Sequence, residues 1–171
     1  MTSIGGLDDA IKYWRSKKGG TVRANNKLID EIKGSMLGDP DHPGVLDEIL
    51  RGVMKKIKQA KKDKSYHVYS APGSYRGCWC LTLGSFAFNI EYDYDFSSEP
   101  ERKKHKINFH FWGKDTWDFE TKKAKWYDVP THLHNIFEEK IPSLIAGEGE
   151  PFDITYDFYW EIESKDGCII F

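Results

Sequence analysis

Three stretches of this chain alternate apolar and polar residues with a period of two, and that period leaves little freedom in the fold. In LGSFAFNIEYDYDF, Phe86, Phe88, Ile90, Tyr92, Tyr94 and Phe96 fall on one side, with Asn89, Glu91, Asp93 and Asp95 on the other. In KINFHFW, Ile107, Phe109 and Phe111 alternate with Lys106, Asn108 and His110. In PFDITYDFYWEIE, Phe152, Ile154, Tyr156, Phe158, Trp160 and Ile162 alternate with Asp153, Thr155, Asp157, Tyr159, Glu161 and Glu163. Successive side chains of a strand point to opposite faces, so each stretch predicts a strand with one face for the core and one for water. Such clean alternation marks antiparallel strands, because parallel strands are covered on both faces. The expected strands lie near 83–96, 105–113 and 152–163, and the turn-rich SSEPERKK joins the first two as a hairpin. Acids facing outward on two strands can pair with the lysine and histidine of another. His110 and Trp112 therefore read as outward positions paired across the sheet.

The first third of the chain has a different period. Residues 7 to 16 carry acids early and bases late, which suits the helix dipole. Asn26 to Leu37 reads as a second helix after the Gly19-Gly20 break. From Val45 to Ala60, Val45, Leu46, Ile49, Leu50, Val53, Met54 and Ile57 recur at helical spacing with lysines opposite. A last helix is expected near 131–145, where Leu133, Ile136, Phe137, Ile141, Leu144 and Ile145 form a stripe and Asp128 stands as N-cap ahead of Pro130. The class is α+β: N-terminal helices, then a curled antiparallel sheet with a helix between its last strands. At 171 residues the whole of 1–171 is expected to be a single domain, helical over 1–65 and mainly sheet over 66–171.

Composition removes several function classes. The formal charge of −2 hides a local excess of seven basic residues from Arg51 to Lys64, so a global nucleic-acid footprint is absent and nucleic acid is not an expected partner. No apolar run reaches the roughly 18 residues of a membrane span, and the N-terminus lacks a signal-peptide pattern. Cys78, Cys80 and Cys168 form neither a disulfide framework nor a tetrahedral zinc site. The ending Cys168-Ile169-Ile170-Phe171 fits the short prenylation pattern, and GDPDHPG at 38 to 44 has the D-x-D start of a calcium loop without its later ligands.

The stretch GKDTWDFE, residues 113 to 120, follows INFHFW and closes it with two carboxylates around a tryptophan. Asp115 and Asp118 there read either as a strand-ending turn or as the anionic half of an active site. With GSY (73–75), LGSFAF (83–88), KDTWDF (114–119) and GEGEPFDI (147–154) in this order, the chain resembles, over about residues 72–163, the colicin M-like toxin domains of bacteriocins and polymorphic toxins. That resemblance implies hydrolysis of an undecaprenyl-linked peptidoglycan precursor with a divalent metal. It places Asp115 and Asp118 as catalytic acids and ligands of Mg2+, and Trp117 and Lys114 as substrate-binding groups. The family's His-Arg pair has no counterpart, since Ala124-Lys125 stand at its spacing. His132 is the replacement expected, because WYDVP would return the start of the next helix toward Asp115; His134 points about 200° away from it.

Three functions follow from these residues. One is an antibacterial toxin domain that hydrolyses a lipid-linked envelope substrate, made in the bacterial cytoplasm, delivered to a target cell and opposed by a cognate immunity protein. Another is a toxin of the same architecture that acts without catalysis at a membrane surface, through its amphipathic helices. The third is an immunity or binding module whose acidic sheet face meets a basic partner.

Overall fold

The computed structural model describes residues 2–38, 44–63, 67–80, 82–95, 104–117, 149–165 and 168–169. In chain order these form β1 (Ser3–Ile4), α1 (Leu7–Arg15), β2 (Thr21–Ala24), α2 (Asn26–Leu37), α3 (Val45–Lys62), β3 (His67–Cys80), β4 (Gly84–Asp95), β5 (Lys104–Trp117), β6 (Phe152–Lys165) and β7 (Cys168–Ile169). The α+β class holds, and three helices start where the sequence pattern puts them, at Leu7, Asn26 and Val45. Asn25 caps α2 by accepting from the N–H groups of Lys27 and Leu28. The acids Asp8 and Asp9 open α1, and Asp47 and Glu48 open α3.

The sheet has the order β1-β2-β6-β5-β4-β3, with β7 also on β6. β3, β4, β5 and β6 are antiparallel neighbours. The expectation of a purely antiparallel sheet following a helical third needs correction, because β1 and β2 come from that third and join β6 in parallel. Period cannot reveal strands of two and four residues, and β2 exists because the Gly19-Gly20 turn, with φ of 55° and 80°, redirects the chain after α1. The backbone N–H of Asp153 then donates to Gly20 O at 2.8 Å. A second addition is β3, which lies ahead of the three expected strands and runs through Pro72-Gly73. Its register with β4 shifts between Ser70 and Gly73, so Pro72 sits at a bulge. There its missing N–H costs no ladder bond. A further correction concerns β5: expected to end at 113, it continues through Lys114, Asp115 and Thr116 to Trp117. The helix expected near 131–145, with Asp118, His132 and His134, lies outside the described residues.

The alternation places the core as expected. Phe86, Phe88, Ile90, Tyr92 and Tyr94 of β4, Ile107, Phe109 and Phe111 of β5, and Phe152, Ile154, Tyr156, Phe158 and Ile162 of β6 are all buried on one face. Against that face lie α2 and α3, whose stripes of Leu28, Ile32 and Met36, and of Leu46, Ile49, Leu50, Val53, Met54 and Ile57, are buried with it. Lys33 of α2 sits over the Phe158 and Trp160 rings, and Lys56 of α3 over Tyr92. The apolar face of α3 is therefore spent on the core, while Arg51, Lys55, Lys58, Lys61 and Lys62 face water. Among the described residues no helix is long and apolar enough to cross a membrane.

Phe109 is wholly buried, stacked on Phe111 at 5.5 Å and packed on Tyr92 at 5.7 Å. Its truncation to alanine should cost about 3–5 kcal/mol in a denaturant titration, whereas Tyr159→Ala on the other face should change stability by less than about 1 kcal/mol.

Candidate functional site

The described residues of GKDTWDFE, Gly113 to Trp117, do not converge. Because they lie in a strand, Lys114 and Asp115 point to opposite faces. Lys114 projects outward, and its Nζ donates to Asp153 Oδ2 at 2.9 Å, while Thr116 Oγ1 donates to Asp153 Oδ1 at 2.7 Å. These two bonds hold the Asp153 carboxyl below its ordinary pKa. Trp117 is 4% exposed, edge-on to Trp14 and tilted on Phe152, and its indole Nε1 donates to Thr82 O at 2.7 Å. A ring held in this way packs the core, and the substrate platform expected of it is not where it lies. Asp115 faces the helices, opposite Ile154. Burial, and next the charge of Asp153, raise its pKa from 3.8 to about 6.

Beside Asp115, Gly113 lets the ring of Tyr156 cross β5, since a Cβ at 113 would run into that ring. The Tyr156 hydroxyl thereby reaches Ala87 O on β4 and ties the strands together. This happens beyond Asn89↔Trp112, where the pairing of β4 with β5 ends. Thr82, which receives the Trp117 indole, also donates its backbone N–H and its hydroxyl to the Glu31 carboxylate of α2, both at 2.7 Å. Burial, followed by the Glu31 charge, pushes the Cys80 thiol far above its usual range, so this cysteine is an inert part of the core.

A denser group of chemically active side chains lies on the face away from the helices. Here His110 of β5 stands between two carboxylates, its Nδ1 3.0 Å from Glu91 Oε1 on β4 and its Nε2 2.9 Å from Asp157 Oδ1 on β6. Its ring is stacked between Trp112 at 4.6 Å and Tyr159 at 4.4 Å, and Tyr159 is 74% exposed. Burial lowers the pKa of His110, but the bonds to Glu91 and Asp157 outweigh it and the net shift is upward. Cross-strand pairing predicts these partners; the aromatic stack on both sides of the ring emerges only once β5 and β6 are in register. Lys106 Nζ lies 3.1 Å from Glu161 and 3.4 Å from Glu163 on the same face.

This face opens into a cleft of about 400 Å³ lined by Arg23, Ala24, Asn26, Ile29, Trp112, Gly113, Thr155, Tyr156 and Asp157. Trp112 and Asp157 belong to both the cleft and the His110 group. Arg23 arrives through β2 and Asn26 through the start of α2, elements whose nearness to β6 no local pattern announces.

Among the described residues no group of three or more His, Cys, Asp or Glu is placed to hold a metal ion. Of the two carboxylates expected to hold Mg2+, Asp115 lies on the side of β5 that faces the helices, and Asp118 lies outside the described residues. Comparisons with protein-family models, with curated proteins and with solved structures return no match to this chain.

Asp115 gives a pH signature. Its folded-state pKa near 6 lies above the ordinary 3.8, so the associated stability is full below about pH 4 and is lost as pH rises through 6. Asp115→Asn should therefore be more stable than wild type by roughly 1–3 kcal/mol at pH 8, with the gap closing by pH 4 in parallel denaturant titrations. His110 is also raised, so the ion pairs it makes contribute fully below its ordinary 6.5 and fade as pH rises through the folded value. The stability lost in His110→Phe, which keeps an aromatic ring, should be larger at pH 5.5 than at pH 9.

Proposed function

We propose that the chain is a binding domain of an antibacterial toxin system that engages a basic protein partner through the face of its sheet turned away from α2 and α3, as a toxin and its cognate immunity protein engage each other. The observation that carries this reading is the Trp112-His110-Tyr159 stack, presented on that face among Glu91, Asp93, Asp157 and Glu161. Aromatic side chains with a polar rim are what interface hot spots are built from, and one sign of charge steers a partner of the other. The stack is also pre-ordered by three strands, so little side-chain entropy remains to be lost on docking. The antibacterial setting rests on the order of the GSY, LGSFAF, KDTWDF and GEGEPFDI motifs. A half-barrel curl of the sheet and delivery to the envelope of a target cell belong to the same proposal.

One observation favours hydrolysis of a lipid-linked precursor as a second reading. A carboxyl with a pKa near 6 is partly protonated close to neutrality and can give its proton to a leaving group, a role that two ordinary aspartates cannot fill. Against it, Lys114 and Trp117 do not share a site with Asp115. Membrane action through α3 is opposed by the burial of its apolar stripe.

Expression in a bacterium, with and without a periplasmic signal, tests these readings through growth. On the binding reading, any growth effect of the wild type, whether inhibition or protection against a toxin, is lost in the Asp93→Lys/Glu161→Lys double variant and kept in Asp115→Asn. The reverse pattern would establish the hydrolase, and absence of any effect in both compartments would remove the antibacterial setting.

A further inference from the structure

β6 is paired with β5 along its whole length, but on its other side only at its two ends. β2 pairs with it over Asp153, Ile154 and Thr155, and β7 over Ser164 and Lys165. No described strand pairs with the segment between. The N–H of Asp153 points to the β2 side, where it reaches Gly20 O. Backbone groups along a strand alternate sides with the same period as side chains, so the N–H and C=O groups of Asp157, Tyr159 and Glu161 point to that same edge. Edges of this kind are normally blocked by proline, lysine or a bulge. From 156 to 163 β6 carries no proline and no lysine, and its register with β5 is unbroken.

Two features say what would fit there. The outward side chains along the edge, Asp157 and Glu161, are acidic and exposed. At the β2 end the edge runs into the 400 Å³ cleft, where Arg23 is exposed and makes no ion pair among the described residues, and where α2 begins at Asn26. An exposed arginine at the mouth of a cleft is the chemistry of carboxylate capture.

We propose that this edge of β6, which no described strand covers, takes the C-terminal end of an extended basic peptide as an added antiparallel strand, with its terminal carboxylate in the cleft at Arg23. This rests on the binding reading above and names the place and the backbone polarity of the contact. The carboxylate sits at the β2 end, so the peptide runs opposite to β6. Its main chain then bonds the edge groups of Asp157, Tyr159 and Glu161, and its outward basic side chains meet Asp157 and Glu161.

The test uses a six-residue peptide of alternating lysine and valine with a free carboxylate, its C-terminal amide, and the glutamate-valine analogue. Affinity is measured by calorimetry and amide exchange by NMR on the full chain. The lysine peptide should slow exchange at Asp157, Tyr159 and Glu161. Amidation should weaken it about tenfold, the worth of one charge-assisted contact, and the glutamate peptide should not bind. Arg23→Gln should bring the free acid to the affinity of the amide, which it leaves unchanged. Tyr159→Pro, which removes an edge N–H, should abolish both. Slow exchange at the three amides before any peptide is added would overturn the proposal by showing the edge already taken, and so would equal affinity for acid and amide or no binding at all. If the peptide binds without protecting these amides and is lost in Asp93→Lys/Glu161→Lys, the face reading stands and the edge is wrong.

Discussion

Fourteen successive cross-strand pairs, from Lys104↔Lys165 to Trp117↔Phe152, fix the register of β5 on β6, and the remaining elements take their places from it. The register sends Ile107, Phe109, Phe111 and Trp117 to the same side as Phe152, Ile154, Phe158 and Ile162. A slip of one residue would turn all of one strand's core residues to water. The stacked contact of Phe111 on Phe158 across the two strands, at 5.4 Å, makes that slip costly. β4 then pairs with β5, β2 with the start of β6, and the helices cover the apolar side.

Magnitudes separate the two faces. Each buried aromatic of the inner face is worth about 3–5 kcal/mol on truncation, whereas an exposed pair such as Lys106 with Glu161 is worth about 0.2–1 kcal/mol. Stability is thus set almost wholly by one side of the sheet. The other side is left open in composition, and its use of that freedom for a stacked Trp112-His110-Tyr159 group with carboxylates around it is the strongest physical argument for recognition there.

The same period that builds the sheet separates Lys114 from Asp115, two residues that an active site was expected to share. Neighbours along a strand diverge, so Lys114 ends in an outward ion pair with Asp153 while Asp115 lies on the covered side with its pKa near 6. A chain whose β5 stopped at 113, as the polar composition of KDTWD implies, would have left these residues in a turn that could gather them. The ladder extends because Trp117 gains a buried place between Trp14 and Phe152, and that gain outweighs the weak strand preference of the residues before it.

By itself the sequence determined the three helices, the strands β4, β5 and β6, which side of each is core, and the pairing of His110 with acids on its neighbours. These follow from local period and from direct cross-strand opposition, both of which are properties of short segments. Tertiary structure alone decided the rest. Nothing in TVRA marks β2 as a strand, and only its docking beside Asp153 to Thr155 brings Arg23 to the cleft. Nothing in the spacing of Trp112 and Tyr159 shows that both rings sandwich His110, because they lie on different strands and meet through register. The carboxyl of Asp115 acquires its raised pKa from burial and from Asp153, a residue 38 positions away along the chain. Desolvation and through-space charge depend on which segments pack together, and local sequence does not carry that information.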